Sequence, residues 1–295
     1  MIGARAEEEL RAALVHAIPG NYTQGIFQKG TNLIKFARYP DLAVATTALT
    51  EAVAPATIAL SISTESFSAT QLGQVLGISD LASYESPHDL ISVAAERVAR
   101  QAALSIDTNV RDILAAGTSV IYATGAARSS QGTGNVLTGN IVKKVVANLV
   151  NNNVPTFPDG FYRCVINPLV EYDLYTDTAA GGWMDANKYT DAMPLLAGEI
   201  GRYHKVRFLV SSNAKIFATA GAASANVYSS YFFGPDSYVV GDLQNLEAYY
   251  VAPGGDHSDP LAQLAYVGWK CAVGAMLITS AGPRYIRVES GATIG

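Results

Sequence analysis

The chain is poor in the side chains on which catalysis and nucleic-acid recognition depend. Charged residues make up 15% of its 295 residues, against about 25% in an average soluble protein. Cysteine occurs twice and histidine four times, so few metal ligands or nucleophiles are available. A net charge of −5 offers no strongly basic surface, which argues against a DNA-binding regulator.

Long apolar runs and targeting signals are also absent. No run approaches the ~20 apolar residues that a membrane-spanning helix needs, and residues 1–9 lack the pattern of a secretory signal. We therefore expect no contact with a membrane, and we predict that Cys164 and Cys271 are buried free thiols in a reducing cytoplasm. Hydrophobic residues nevertheless reach 49%, and the simplest use of that excess is contact with other subunits.

Familiar catalytic motifs are missing as well. The chain has no H-E-x-x-H, G-x-S-x-G or phosphate-binding G-x-x-x-x-G-K-[ST] sequence, so no catalytic or cofactor-binding residue is assigned. Asp256, His257 and Asp259 could hold a divalent ion, which keeps a metal-dependent hydrolase as an alternative. Because their neighbours are glycine, serine and proline, a surface turn is the favoured interpretation, and no metal site is assigned.

The strongest local pattern predicts a long helix over 86–117. Ser86 is suited to cap it and Pro87 to begin it, and Gly117 is suited to end it. The spacing of Asp107 and Arg111 predicts an ion pair along its surface. Apolar residues recur at steps of three and four and form one stripe: Ile91, Ala95, Val98, Ala102, Ile106, Val110 and Ile113.

The region before this helix predicts an arm and a hairpin. Residues 1–30 contain a short helical stretch at 7–17 and little that could form a core. Residues 31–68 predict a hairpin, with Ile34 and Phe36 on the first strand and an alternating apolar series at 57–63 on the second. The connection at 40–55 is much longer than ordinary hairpin loops. Arm and hairpin are therefore both expected to lie on a neighbouring subunit.

The rest of the chain mixes helices and strands without a regular alternation, which predicts the α+β class. Strands are expected at 162–166, 205–210, 264–278 and 284–288, and helices after Thr138, after Asn167 and at 185–193. Residues 123–139 predict a mobile polar loop. The aromatic clusters at 228–233 and 249–250 suit either a core or a subunit contact.

Several stretches, taken together and in order, resemble the major capsid proteins of tailed phages related to coliphage N-four. They cover about residues 30–291. The similar stretches are FARY at 36–39, TTALTE at 46–51, DTNVRDILAAGTSVIYA at 107–123, GWMDA at 182–186, GEIG at 198–201, RF at 207–208, VAPGG at 251–255, DPLAQ at 259–263, GWKC at 268–271 and RVESG at 287–291.

The resemblance implies the Hong Kong 97 capsid fold. It divides the chain into an N-terminal arm at 1–30, an E-loop hairpin at 31–70, a peripheral domain at 71–154 and 261–295 with the spine helix 86–117, and an axial domain at 155–260. The implied function is structural, not enzymatic: subunits would form pentamers and hexamers of an icosahedral head shell. That shell would belong to the virion and assemble in the bacterial cytoplasm.

The resemblance also implies partners. Besides other copies of itself, we expect a separate scaffolding protein, because only about 30 residues follow Met1 before the hairpin. We also expect a portal protein, a decoration protein and double-stranded DNA held without sequence-specific contact, but no cofactor. An encapsulin-type shell that packages enzymes is the nearest alternative. Residues expected at subunit contacts lie in the hairpin: Ile34, Phe36, Arg38, Tyr39, Glu51, Ile58, Leu60 and Ile62.

Overall fold

The computed structural model describes most of the chain. Its described residues are 15–16, 26–27, 33–39, 42–46, 48–55, 57–178, 183, 199–255, 259–278 and 284–294. The helices predicted at 7–17 and 185–193 lie outside this part, apart from residues 15 and 16, which form a turn.

Four α-helices are described, and side-chain caps define where three of them begin. They are α1 (Asp80–Glu85), α2 (Leu90–Ala116), α3 (Gly139–Asn151) and α4 (Pro168–Tyr175). The prediction that Ser86 caps the long helix and Pro87 begins it was wrong by three residues. Ser86 ends α1, and the Asp89 carboxylate accepts hydrogen bonds from the backbone N–H groups of Ile91 and Ser92. At 27 residues, α2 is about 40 Å long.

The strands fall into three sheets, and most of their pairs are antiparallel. The four strands predicted outside the hairpin are confirmed to within two residues as β6, β8, β12 and β13. The strands are β1 (Ile26–Phe27), β2 (Leu33–Arg38), β3 (Ser63–Ser68), β4 (Thr70–Ser79), β5 (Val120–Tyr122), β6 (Tyr162–Ile166), β7 (Glu199–Tyr203), β8 (Val206–Val210), β9 (Ile216–Phe217), β10 (Val227–Phe233), β11 (Tyr238–Val251), β12 (Leu264–Leu277) and β13 (Tyr285–Ser290).

A three-stranded sheet in the order β11-β12-β4 carries α2 on one face. Val98 and Ala102 of the helix share a buried cluster with Val267 and Trp269 of β12. Small residues on the helix let it approach the sheet closely, and the Trp269 indole N–H donates to Gln101 Oε1 at 3.4 Å. The opposite face of this sheet receives no helix from the described part of the chain.

The largest sheet has seven strands in the order β5-β13-β10-β6-β8-β7, with β9 beside β10. Strand β10 is buried along its whole length because it has a core on each side. Tyr228 and Phe232 lie in the cluster that includes α3 and α4, whereas Tyr231 and Phe233 lie in the cluster that includes α2. The aromatic group at 228–233 is therefore core. Helices and sheets of this kind confirm the α+β class.

The hairpin formed by β2 and β3 differs from its prediction. Its first strand is where the sequence placed it, but the second is Ser63–Ser68 and not the alternating series that ends at Ile62. The ladder pairs Leu33 with Ser68 and Arg38 with Ser63. The prediction that Ile58, Leu60 and Ile62 form the second strand was therefore wrong, and these three residues precede it without a strand partner in the described chain.

Candidate subunit interface

The segment that joins β2 to β3 exposes an unusual number of large apolar side chains. No strand or helix is formed by its described residues between 39 and 62. Exposed apolar groups this close together mark an interaction surface in a protein that is stable in water. Each of the following side chains is at least 58% exposed: Tyr39, Leu42, Val44, Leu49, Val53, Ile58, Leu60 and Ile62.

The residues that the sequence placed at subunit contacts divide into two groups. Ile34, Phe36 and Arg38 lie on β2, opposite Phe67, Glu65 and Ser63 of β3; their side chains lie outside the described part. Tyr39, Glu51, Ile58, Leu60 and Ile62 all lie on the joining segment and are exposed. The structure thus brings all eight to one hairpin.

The base of this hairpin is fixed to the face of the three-stranded sheet that lies opposite α2, here called the free face. Phe67 and Ala69 are buried against Val239 of β11 and Ile278, which follows β12. Gly274 provides the space, since a Cβ atom there would lie 3.0 Å from the Phe67 ring. The hairpin therefore starts from a fixed point, while the segment beyond it meets solvent.

A groove of about 590 Å³ runs along the same free face. Cross-strand neighbours form rows across it, such as Tyr249–Gly268–Val75 and Glu247–Lys270–Gly73. Gly268 forms part of the floor because a Cβ there would lie 2.9 Å from the backbone oxygen of Gln74. Lys270 is the one charged side chain among the described residues that line the groove. Such a shape suits an extended, largely apolar chain segment.

A second site, which the sequence analysis missed, lies on the buried side of α2. His16 and Asp107 are both fully buried. The His16 backbone N–H donates to Asp107 Oδ1 at 2.7 Å, and His16 Nδ1 lies 2.8 Å from Asp107 Oδ2. The Tyr238 hydroxyl donates to the His16 carbonyl. A signal was present in the sequence, because Asp107 is a charged residue on the buried stripe of α2.

The predicted ion pair between Asp107 and Arg111 is wrong, because Asp107 lies on the buried side of α2. Asp107 instead accepts a hydrogen bond from Asn213 Nδ2 at 2.8 Å, and Arg111 donates to Asn213 Oδ1 at 2.7 Å and pairs with Asp112. Burial alone would raise the pKa of Asp107, but the hydrogen bonds and charge of His16, with the hydrogen bond from Asn213, hold that pKa below its usual value.

The loop between β5 and α3 is held by a buried carboxylate. Glu289 is fully buried; its two oxygens accept from Arg128 Nε and Nη2, both at 2.7 Å, and Arg287 Nε lies 2.9 Å from Oε1. The Arg128 guanidinium also stacks 3.5 Å above the ring of Phe217. This bonding raises the pKa of Arg128 above its usual value. The glycine-rich loop, which the sequence predicted to be mobile, is packed at this point.

Neither cysteine chemistry nor a metal centre is found in the described part of the chain. Cys164 and Cys271 are buried free thiols, as predicted, and burial raises the pKa of each. Asp256 and His257 lie outside the described residues, while Asp259 accepts a hydrogen bond from the Leu264 N–H at 2.7 Å, where β12 begins. No group of three potential metal ligands occurs among the described residues. No described helix is long and apolar enough to cross a membrane.

Comparison with solved structures identifies the architecture. The capsid protein of Ralstonia phage GP4 superposes with a TM-score of 0.74 over 92% of this chain and 87% of that one, at 14% identity. The chain has the Hong Kong 97 capsid fold. The cyanophage Pam1 capsid matches with a TM-score of 0.70 over 90% of this chain and 86% of the other, also at 14% identity. The Mycobacterium phage Che8 structure matches with a TM-score of 0.60 over 93% of this chain and 90% of the other, at 17% identity.

Sequence comparison adds no closer relative. No protein-family model matches the chain, and no curated protein matches it. At identities of this size the structures establish the Hong Kong 97 fold.

Proposed function

We propose that the chain is the major capsid protein of a tailed bacteriophage. The observation that carries this proposal is that one fold, shared with phage capsids, extends over 90% or more of the chain and over 86–87% of its structural neighbours. The exposed apolar hairpin supports it, because such a surface needs a neighbouring subunit to cover it. The role is structural, and no catalytic step is assigned to the chain.

In this proposal, copies of the chain form the pentamers and hexamers of an icosahedral head shell around double-stranded DNA. The shell forms in the bacterial cytoplasm, with a separate scaffolding protein and a portal, and becomes part of the virion, where a decoration protein binds it. The stretches similar to the N-four relatives support placement in that group, among them GWMDA at 182–186 and VAPGG at 251–255.

The division into arm, hairpin, peripheral and axial parts is also proposed, with one adjustment. Strand β11 pairs with β12 along almost its whole length, and β13 joins the seven-stranded sheet. Sheet membership therefore favours a peripheral part built from α2, β4, β11 and β12. It also favours an axial part that contains the whole seven-stranded sheet, including β13. The two parts would then not be divided at residues 260 and 261.

The hairpin segment of one subunit is proposed to lie in the groove of the next. Its own subunit leaves the described residues of the segment exposed, and its series at 57–62 is uncharged. Lys270 lines the groove beside its cross-strand neighbour Glu247, and its charge is opposite to that of Glu51 of the segment. Burying each exposed leucine or isoleucine contributes about 1.5–3 kcal/mol, and every subunit repeats the contact.

The first test asks whether the purified chain, with its scaffolding protein, forms closed shells in negative-stain electron microscopy. A variant with Ile58→Ser, Leu60→Ser and Ile62→Ser should remain folded, because these side chains are exposed, but should lose most shells. A control triple of exposed residues outside the hairpin, Leu104→Ser, Val150→Ser and Ile216→Ser, should lose fewer. A scaffolded wild-type chain that stays monomeric would refute the proposal. Particles filled with an enzyme and not DNA would favour the encapsulin alternative.

A cysteine cross-link tests the groove itself. Leu60→Cys together with Val75→Cys should give disulfide-linked dimers and higher multimers when assembled shells are oxidised. Leu60→Cys with Leu104→Cys is the matched control, since Leu104 lies on α2, on the other face of the sheet. Intact shells without cross-links in the first variant would exclude the groove and leave the capsid function standing.

A further inference from the structure

The N-terminal arm is held inside its own subunit at one point. His16 is bonded through its backbone N–H, its carbonyl and its ring to two separate elements, α2 and β11. Val15 packs against the cluster beneath α2. The sequence predicts that a neighbouring subunit holds this arm, but these contacts are all within one chain.

Of the two ring nitrogens of His16, only Nδ1 has a hydrogen-bond partner among the described residues. Nδ1 meets the Asp107 carboxylate at 2.8 Å, while Nε2 is buried and has no hydrogen-bond partner among the described residues. The ring lies edge-on to Tyr231, with 5.8 Å between centroids. A buried polar group is stable only while its partner remains, so the docked position of the His16 ring depends on the Asp107 carboxylate.

We propose that His16 is a positioning residue that fastens the arm to α2 of its own subunit and that acid releases it. The arm then leaves α2 at the same point in every subunit. A regular shell requires this, because each of its subunits must repeat the same contacts. The fastening belongs to the single chain; only its consequence for assembly rests on the proposed capsid function.

Acid acts on the fastening through Asp107. Because the folded pKa of Asp107 is below the ordinary 3.8, its stabilising effect is complete above pH 3.8 and is lost as the pH falls through the folded pKa. The groups that face the pair are Arg111 from α2, Tyr231 from β10 and Tyr238 from β11.

Amide hydrogen exchange of the unassembled full-length subunit tests the fastening. The residue-16 amide should be protected in the wild type, and His16→Ala should accelerate its exchange by about 100-fold or more, as expected for a broken buried pair. The amide of Val145, in α3, is the control for global unfolding. Equal acceleration of both amides, or of neither, would overturn the proposal.

Two conservative variants separate positioning from simple filling of space. His16→Asn places an N–H donor near the position of Nδ1 and should keep the residue-16 amide protected, whereas His16→Gln places it near Nε2 and should not. Asp107→Asn should remove the additional loss of protection below pH 3.8. If Gln protects as well as Asn, the proposal is wrong. Failure to form any shells would count against the capsid function and leave the exchange result intact.

Discussion

Replacing Glu289 with alanine is expected to lower the free energy of unfolding of the subunit by about 3–5 kcal/mol. The loss is large because Arg287, which is 5% exposed, would remain buried without its carboxylate. Arg128 would also lose a bidentate partner and release the loop between β5 and α3. Urea unfolding of the unassembled subunit, followed by circular dichroism, measures the change.

Asp112→Ala is the matched control for this change. Asp112 also pairs with two cations, Arg111 at 2.8 Å and Lys215 at 3.0 Å, but its side chain is 47% exposed. Surface pairs of this kind contribute up to about 1 kcal/mol, so the control should change stability little. Equal losses in the two variants would show that burial of Glu289 is not what makes its ion pairs important.

The sequence predicted helices and buried strands well where one local pattern decided the outcome. The apolar stripe of α2 continues for about seven turns, and its far end at Gly117 was predicted correctly. Its beginning was not, because Ser79 starts a separate short helix that ends at Ser86. Ser86 and Asp89 both have side chains suited to capping, and it is the Asp89 carboxylate that accepts the first N–H groups of α2.

The hairpin shows that an alternating apolar pattern does not predict which strand pairs with which. The series at 57–62 has the alternation of a strand, yet the strand that pairs with β2 is the more polar STESFS sequence at 63–68. Alternation indicates that one face will be covered but does not identify the covering partner. If that partner is another subunit, a single chain leaves the apolar series exposed, as observed for Ile58, Leu60 and Ile62.

The buried ion pairs could not be predicted for a different reason. Asp107 was paired with Arg111 by local spacing, but its partner His16 is 91 residues away, and Glu289 is 161 residues from Arg128. Contacts at such separations depend on how the sheets assemble. The sequence does show a weaker signal, a charge on a buried stripe or strand, that marks the residue and not its partner.

Gly221→Ala is expected to destabilise the subunit by about 1–3 kcal/mol or more. A Cβ at this position would lie 2.2 Å from the backbone oxygen of Gln131 and 3.0 Å from that of Ala225. The same Gln131 oxygen accepts the Ala222 N–H at 2.8 Å, so relief of the clash would break that bond. Backbone atoms, unlike the end of a flexible side chain, cannot move aside cheaply.

The control for Gly221→Ala comes from the loop between β5 and α3. A Cβ atom added at Gly134 would have no neighbouring atom within 4 Å, so Gly134→Ala should leave stability unchanged or slightly raise it by restricting the unfolded chain. Thermal unfolding of both variants beside the wild type provides the comparison. A loss at Gly134 as large as that at Gly221 would mean that chain stiffness, and not the close approach of Gln131, sets the cost. A loss at Gly221 alone would establish that the loop is packed tightly against the 221–225 turn.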